Sequence, residues 1–393
     1  MKMQIGLALG LATAAHAGGL EVAEQNAVSA ATGGAGAARE DDPGAAWHDP
    51  AALADGGGWR VGLSLVAARP SLDARAADGS WTTTSAPSWA TPPHLDASFA
   101  RERWAAGVSV GVPFGGGVTW PAMWPGASQA VQTQLQDLRV APFAAWSFGA
   151  LRVAAGVHVD FGRLDLDRGL DFVDTTGDVR MELTGVGIGA DASAFYKPRA
   201  DLGIALAYRS RTSISFSGPA DFSAPDAFSA ETPDQQAYTH MTMPDQLVLG
   251  ARWQRGELAV LADLAYMRWS EDPATTVTFA DAQTPSAVQT NDWHDTLAAR
   301  AGAEWFTGRL VARAGAYYDP TPVPAEHLVP AAPDGDRLGV TLGASWQLAR
   351  AWSADAFAER MWILARATTS VDTMPATYGG SAVVIGAGVR FTR

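Results

Sequence analysis

LRVAAGVHVDF, residues 151–161, alternates. Leu151, Val153, Ala155, Val157, Val159 and Phe161 fall on one side of an extended chain, with Arg152, Gly156, His158 and Asp160 on the other. Side chains of a strand point alternately to opposite faces, so this period of two marks a strand with one apolar face. A soluble sheet turns such a face inward and shows water a mostly charged one. Here the second face is small and wet, which is the pattern of a wall with lipid on one side and a watery lumen on the other.

The same reading extends outward in both directions. Trp59, Val61, Leu63 and Leu65 oppose Arg60, Gly62 and Ser64, and Trp104, Ala106, Val108, Val110 and Val112 oppose Ala105, Gly107, Ser109 and Gly111. Near the end, Leu338, Val340, Leu342, Ala344 and Trp346 oppose Gly339, Thr341, Gly343, Ser345 and Gln347, and a last segment runs from Val383 to Phe391. Trp and Tyr gather near segment ends, as in the aromatic girdles of membrane barrels. About fourteen such segments follow one another, and their joints alternate. Short joints lie at Arg101-Glu102, Gly149, Pro198-Arg199, Arg255-Gly256, Thr307-Gly308 and Ala349-Arg350; long ones span 68–93, 113–133, 164–178, 217–238, 271–292, 320–336 and 364–379. Short periplasmic turns and long outer loops produce this rhythm. The expected fold is all-β: a transmembrane antiparallel β-barrel of about 14 strands in the outer membrane of a Gram-negative bacterium.

Bulk properties agree. The 393 residues carry a net charge of −13 and no cysteine, so no disulfide framework holds the fold. The acidic balance excludes a nucleic-acid surface. The chain opens with Lys2, an apolar run from Ile5 to Ala14 and Ala15-His16-Ala17, the form of a secretory signal peptide over residues 1–17. No apolar run is long enough for a transmembrane helix.

Residues 18–58 break the pattern: they are rich in Ala and Gly and do not alternate. A barrel of this size encloses a lumen that needs filling. Small residues suit packing against an inner wall, and Glu40, Asp41 and Asp42 can pair with inward arginines. The segment reads as a hatch, with the barrel in 59–393.

On these residues the chain resembles the FadL-type outer-membrane transporters of long-chain fatty acids and hydrophobic compounds. Glu24-Gln25-Asn26, the glycines of 33–37, Asp41-Asp42-Pro43 and Trp47-His48-Asp49-Pro50-Ala51-Ala52-Leu53 are similar to the family's hatch motifs, with Asp49 where the family usually has Asn. Ala207-Tyr208-Arg209-Ser210, the run Arg313–Pro324 and Pro333-Asp334-Gly335-Asp336-Arg337 follow in the family's order. The resemblance covers essentially the whole mature chain and implies a monomer that needs no cofactor or metal. Its partners would be a hydrophobic ligand, outer-membrane lipid and lipopolysaccharide. It implies passive uptake, most simply of long-chain fatty acids; uptake of neutral hydrocarbons is the alternative.

Candidate site residues follow. Pro113, Phe114, Gly115, Gly116 and Gly117 end the third strand; proline lacks a ladder donor and glycines mark bends. The resemblance makes this kink a lateral exit into the bilayer. Trp120, Met123 and Trp124, with Pro125, form an apolar loop cluster expected to be exposed and to capture ligand. Leu20 is expected to close the pocket from below. Arg163 stands where the family has a basic residue and is the candidate clamp for a carboxylate. Arg152, Arg209 and Arg300 read instead as lumen arginines paired to hatch or wall carboxylates.

An enzyme reading, an acyl hydrolase, finds little support. Gly107-Val108-Ser109-Val110-Gly111 has the G-x-S-x-G spacing but sits inside a strand, not at a strand-to-helix turn. Gly185–Gly189 precedes no helix, and the seven histidines lack metal-ligand spacing. Asp165, Asp167, Asp171, Asp174 and Asp178 read as a solvated acidic loop without the EF-hand pattern. A general porin without a hatch is a third, weaker reading.

Overall fold

The structure, a computed structural model, describes residues 19–393 except 173–174, 230–231, 282 and 372. The expected leader and Asp174 lie outside the described residues. Fourteen strands form the wall: β1 (Gly56–Ala76), β2 (Pro93–Glu102), β3 (Trp104–Thr119), β4 (Gln132–Phe148), β5 (Leu151–Asp171), β6 (Thr176–Arg199), β7 (Leu202–Arg209), β8 (Gln246–Arg255), β9 (Leu258–Met267), β10 (Thr296–Thr307), β11 (Leu310–Asp319), β12 (Arg337–Ala349), β13 (Trp352–Ala367) and β14 (Ala376–Thr392). Each pairs antiparallel with the next. β14 closes on β1, from Arg60↔Thr392 to Ala76↔Ala376. Closure leaves no edge strand around the ring.

The faces are those of a membrane wall. Outward apolar residues are bare: Val157 is 51% exposed, Leu342 67% and Ile188 71%. On the short-turn rim, exposed Trp59, Trp104, Trp146, Trp253, Trp305, Trp346 and Trp352 form a belt. On the opposite rim three strands end alike. The hydroxyls of Tyr208, Tyr266 and Tyr318 donate to Asp245 (2.5 Å), Asp295 (2.5 Å) and Asp336 (2.7 Å), each aspartate just preceding the next strand. The amphipathic rings sit at the interface with their hydroxyls in water. No helix among the described residues is long and apolar enough to cross a membrane.

The long joints are shorter than the alternation suggested. Residues 164–171 and 176–178 continue β5 and β6, Thr212–Ser223 pairs with Gln235–Met243, and Ala274–Phe279 pairs with Ala287–Thr290. The reason lies in the phase of the pattern. Along β5, Val157 and Phe161 point outward while His158 and Asp160 point inward. Beyond them Arg163 faces out, while Leu164, Leu166 and Leu170 are buried inside. Where the wall leaves lipid for water, its apolar face must turn from outside to inside. The strand continues but its code inverts. The outer half of the lumen is therefore apolar, with Leu135, Leu164, Met181, Leu183, Phe216, Met361 and Tyr378 in one cluster.

The periplasmic half is filled by the chain's start. Residues 19–55 hold two one-turn helices, Ala27–Ala30 and Ala45–His48, and a 3-10 turn, Pro50–Leu53. Asn26 caps the first through its side chain, accepting from Val28 and Ser29 N–H (3.1 and 2.9 Å). These pieces touch β1–β6 and β12–β14, so the segment lies inside the ring. Small residues allow close approach. Gly33, at φ +67°, donates to Thr341 Oγ1 (2.9 Å) and lies against the backbone of Ala316. A Cβ on Gly315 would sit 2.2 Å from Gly33 N. Gly315→Ala is therefore expected to unseat the hatch at a cost of about 1–3 kcal/mol. Limited proteolysis should cut residues 19–55 faster in this variant, while the heat-modifiable barrel band on gels persists.

Candidate functional site

Hatch and wall are joined by buried charge. Glu304 on β10 is surrounded by Arg39 of the hatch (2.7 Å), Arg313 (2.8 Å) and Arg252 (3.1 Å). Asp42 meets Arg390 (3.0 Å), which also holds Asp355 (2.7 Å). Asp41, half exposed, lies 3.7 Å from Arg252. Arg152 binds Glu40 (3.0 Å) and Asp55 (3.3 Å). Arg300 binds Glu21 (2.7 Å), and Arg209 donates to the Trp47 carbonyl. The lumen arginines are thus engaged with the hatch or with wall carboxylates. Asp263 accepts from both Gly36 and Ala37 N–H (2.8 and 2.9 Å).

Asp49 N-caps the Pro50–Leu53 turn, accepting from Ala51 N–H (3.0 Å). Its other oxygen has no hydrogen-bond partner, and Pro50 and fully buried Ala51 begin the turn that follows it. Burial pushes its pKa up to about 7, against hydrogen bonds and arginines that pull it down.

The wall is incomplete at one place. β1 pairs with β2 only as far as Leu65↔Pro93, and β2 with β3 only as far as Leu95↔Val110. Beyond that, β3 keeps β4 on one side, with a register shift at Val112 and Pro113. On the other side lies a gap toward β1, crossed by the chain around Trp89–Pro92. The backbone groups freed at the kink turn inward and are taken up by the arm that leads into the hatch. Val22 N–H donates to the Pro113 carbonyl (2.9 Å), Gly115 N–H to the Leu20 carbonyl (2.9 Å), and Gln25 Nε2 to the Val112 carbonyl (2.8 Å). Phe114 is fully buried, edge-on to Trp269 at 5.9 Å.

A cavity of about 490 Å³ lies at this gap. Its lining includes inward residues (Leu135, Asp137, Met361, Val384) and outward ones (Leu138, Phe161), together with Gly115, Gly116 and Gly117. Neighbouring strand residues face opposite sides, so the cavity borders residues of both faces of the wall. Its inner end is formed by Val22 and Glu24 of the arm. Leu20 is buried beside them, in the apolar cluster with Phe114 and Trp269.

Other sequence candidates lie elsewhere. Arg163 faces outward, half exposed and paired with Asp165 (3.0 Å) and Glu182 (3.2 Å), at the outer mouth of the cavity. Trp120 and Trp124 are buried, not exposed. Their indoles donate to the Pro330 and Ala130 carbonyls (both 2.8 Å), and their rings lie 5.0 Å apart. An indole N–H buried with a carbonyl partner is stable inside a loop cluster, which sequence exposure rules do not register. Met123, 97% exposed, remains at the surface. Ser109 donates to Asp96 (2.5 Å), which also binds His94 (2.8 Å), so the hydroxyl is held by the aspartate and not by the imidazole. Asp165 and Asp167 face Arg163 and Arg180. Sequence reasoning passed over Val22, Glu24 and Asp137, although Asp137 carried a signal as a carboxylate at an inward position of β4.

Asp49 also makes hatch seating pH-dependent. Its folded pKa lies above the ordinary value of a carboxyl in the unfolded chain, so its contribution is complete at low pH and lost as pH rises through about 7. Hatch proteolysis should therefore accelerate between about pH 5 and about pH 8. Asp49→Asn keeps the cap, cannot ionise, and should flatten that profile.

Comparison with known proteins accords with this geometry. Residues 8–392 match the model of the outer membrane protein transport protein family (OMPP1/FadL/TodX). No curated protein is significantly similar in sequence. Among solved structures, a Pseudomonas aeruginosa FadL homologue superposes with TM-score 0.82 at 19% identity, covering 95% of this chain and 99% of that one. The P. putida toluene transporter TodX gives 0.79 at 18%, with 95% and 99% covered. The Ralstonia pickettii toluene transporter TbuX gives 0.71 at 21%, with 93% and 98% covered. These likenesses are of fold; the family match extends over nearly the whole chain. The chain is a member of the OMPP1/FadL/TodX outer membrane transport protein family, a β-barrel of the outer membrane whose relatives are transport channels.

Proposed function

We propose that this chain takes neutral hydrophobic compounds through the outer membrane and releases them sideways into the bilayer through the gap between β1 and β3. The observation that carries this reading is the cavity that touches both faces of the wall, ends inside on the arm, and opens beside Leu138 and Phe161. A solute entering from the apolar outer half of the lumen meets the hatch below and lipid to the side. Transfer is passive and driven by apolar burial, roughly 0.8 kcal/mol for each CH₂. Movement of Leu20–Val22 would widen the path, because those residues hold the kink by backbone bonds.

The charge of the path favours a neutral cargo over a fatty-acid anion. Three charged residues line the cavity: Glu24, Asp137 and Arg163. Two are buried carboxyls, and the cation is outside and paired. Arg163 keeps the fatty-acid reading testable, since an anion leaving through the gap would pass it. We further infer that residues 1–17 are a leader removed on export, that 18–58 act as the hatch, and that one closed barrel works as a monomer. Arg163, Asp165, Arg180 and Glu182 on the outer faces of β5 and β6 would stand at lipopolysaccharide level.

Displacement of a fluorescent apolar probe from purified barrel in detergent tests this. A neutral hydrocarbon is expected to compete at least as well as oleate. Oleate competing far better, with Arg163→Ala removing the difference, would restore the fatty-acid reading. Gly115→Leu, which places a side chain in the passage, should reduce uptake into cells about tenfold, the scale of about 1.4 kcal/mol.

A further inference from the structure

Asp137 occupies an inward position of β4, opposite Phe114 on β3 and Gly162 on β5. It is fully buried, and neither carboxyl oxygen has a hydrogen-bond partner. Arg139, two residues along β4, holds Asp160 instead through two bonds (2.7 and 2.8 Å). Glu24, on the arm, is also buried with one oxygen unpartnered. Both residues line the gap cavity, whose other walls are largely apolar.

Buried polar groups are normally satisfied, and a carboxyl left without a donor is costly. Asp137 with no donor and Glu24 with one free oxygen, both on the gap cavity, are badly suited to a plain hydrocarbon, which cannot satisfy them. They are worse suited to a carboxylate, which brings further acceptors and no donor. An apolar body with one hydrogen-bond donor fits both the walls and the acceptors. A hydroxyl reaching Asp137 replaces the bond it loses to water with a bond to a carboxyl in a dry site, where such bonds are among the stronger ones. Hydrogen-bonding sites discriminate more sharply than apolar walls, because the wrong ligand leaves a buried group unpaired.

We propose that Asp137, with Glu24, makes this path selective for neutral hydrophobic compounds that carry a hydroxyl, such as alcohols and phenols, over bare hydrocarbons and fatty-acid anions. The proposal rests on the uptake reading and names its cargo class. Asp137 is the specificity-determining residue, and Glu24 brings the second acceptor to the cavity on the arm that holds the kink.

The test uses the full-length refolded barrel and chain-matched ligands: decane, 1-decanol, decylamine and decanoate, each displacing the fluorescent apolar probe. 1-Decanol is expected to bind about tenfold more tightly than decane or decanoate. Asp137→Leu should bring 1-decanol to within about twofold of decane, and Glu24→Leu should narrow the difference less. Should Asp137→Leu give no heat-modifiable barrel, Asp137→Asn replaces it. Its amide can donate, so decanoate should gain on 1-decanol. Equal binding of 1-decanol and decane by the native protein overturns the selectivity and leaves uptake standing. So does a preference that survives Asp137→Leu, or a preference for decylamine alone, which would mark a cation site. If none of the four displaces the probe, the uptake reading falls with it.

Discussion

A backbone N–H or carbonyl facing hydrocarbon has no water to bond, so a chain crossing a bilayer as strands must pair every edge. That constraint sets the rest of this structure. It requires β14 to return to β1 over seventeen residue pairs, from Arg60↔Thr392 to Ala76↔Ala376. The ring it closes here is even, so both ends lie on one side and the start of the chain sits beneath an open lumen.

A ring of fourteen strands is too wide for its own side chains to fill. The two halves of the lumen solve this differently. In the outer half the inward face becomes apolar, and leucine, methionine and aromatic residues meet across the interior. In the periplasmic half the inward face stays polar, and the hatch fills it. Burying one charge of a pair costs several kcal/mol unless the partner is well placed, so the Glu304 cluster with three arginines fixes position more than it adds net stability. Small residues complete the fit, since Gly33 and Gly315 let backbones meet where side chains would collide.

At the kink of β3 the pairing rule is relaxed, and the structure meets it from inside. Pro113 has no donor to give, and beyond Val110 β3 loses β2 as a neighbour. The arm from Leu20 to Gln25 supplies the missing partners for Val112, Pro113 and Gly115. Gap and arm are therefore mechanically linked: whatever moves the arm must leave those groups unbonded or give them a new partner. The same short segment carries Glu24 into the cavity, so what binds there and what holds the gate share one piece of chain.

The sequence by itself determined the wall. Alternation of Leu151–Phe161 and its counterparts is local, because a strand's two faces are set by successive residues, and turn rhythm told which end was which. It also marked the Ala- and Gly-rich hatch and the breaks at Pro113 and Gly115–Gly117. The inversion of phase beyond Phe161 is written in the same residues, but reading it requires knowing where lipid ends. Tertiary structure alone decided the rest. Trp120 and Trp124 are buried because the Pro330 carbonyl of a distant loop and the Ala130 carbonyl of their own loop accept their indole protons. Arg163 faces outward beside Asp165 and Glu182, because its position on β5 sends it through the wall and away from the lumen. Asp137 stands without a donor because its neighbour Arg139 is turned to Asp160. The Trp120–Pro330 and Arg139–Asp160 contacts join residues far apart in the chain, and no local period encodes which of several possible partners a side chain meets.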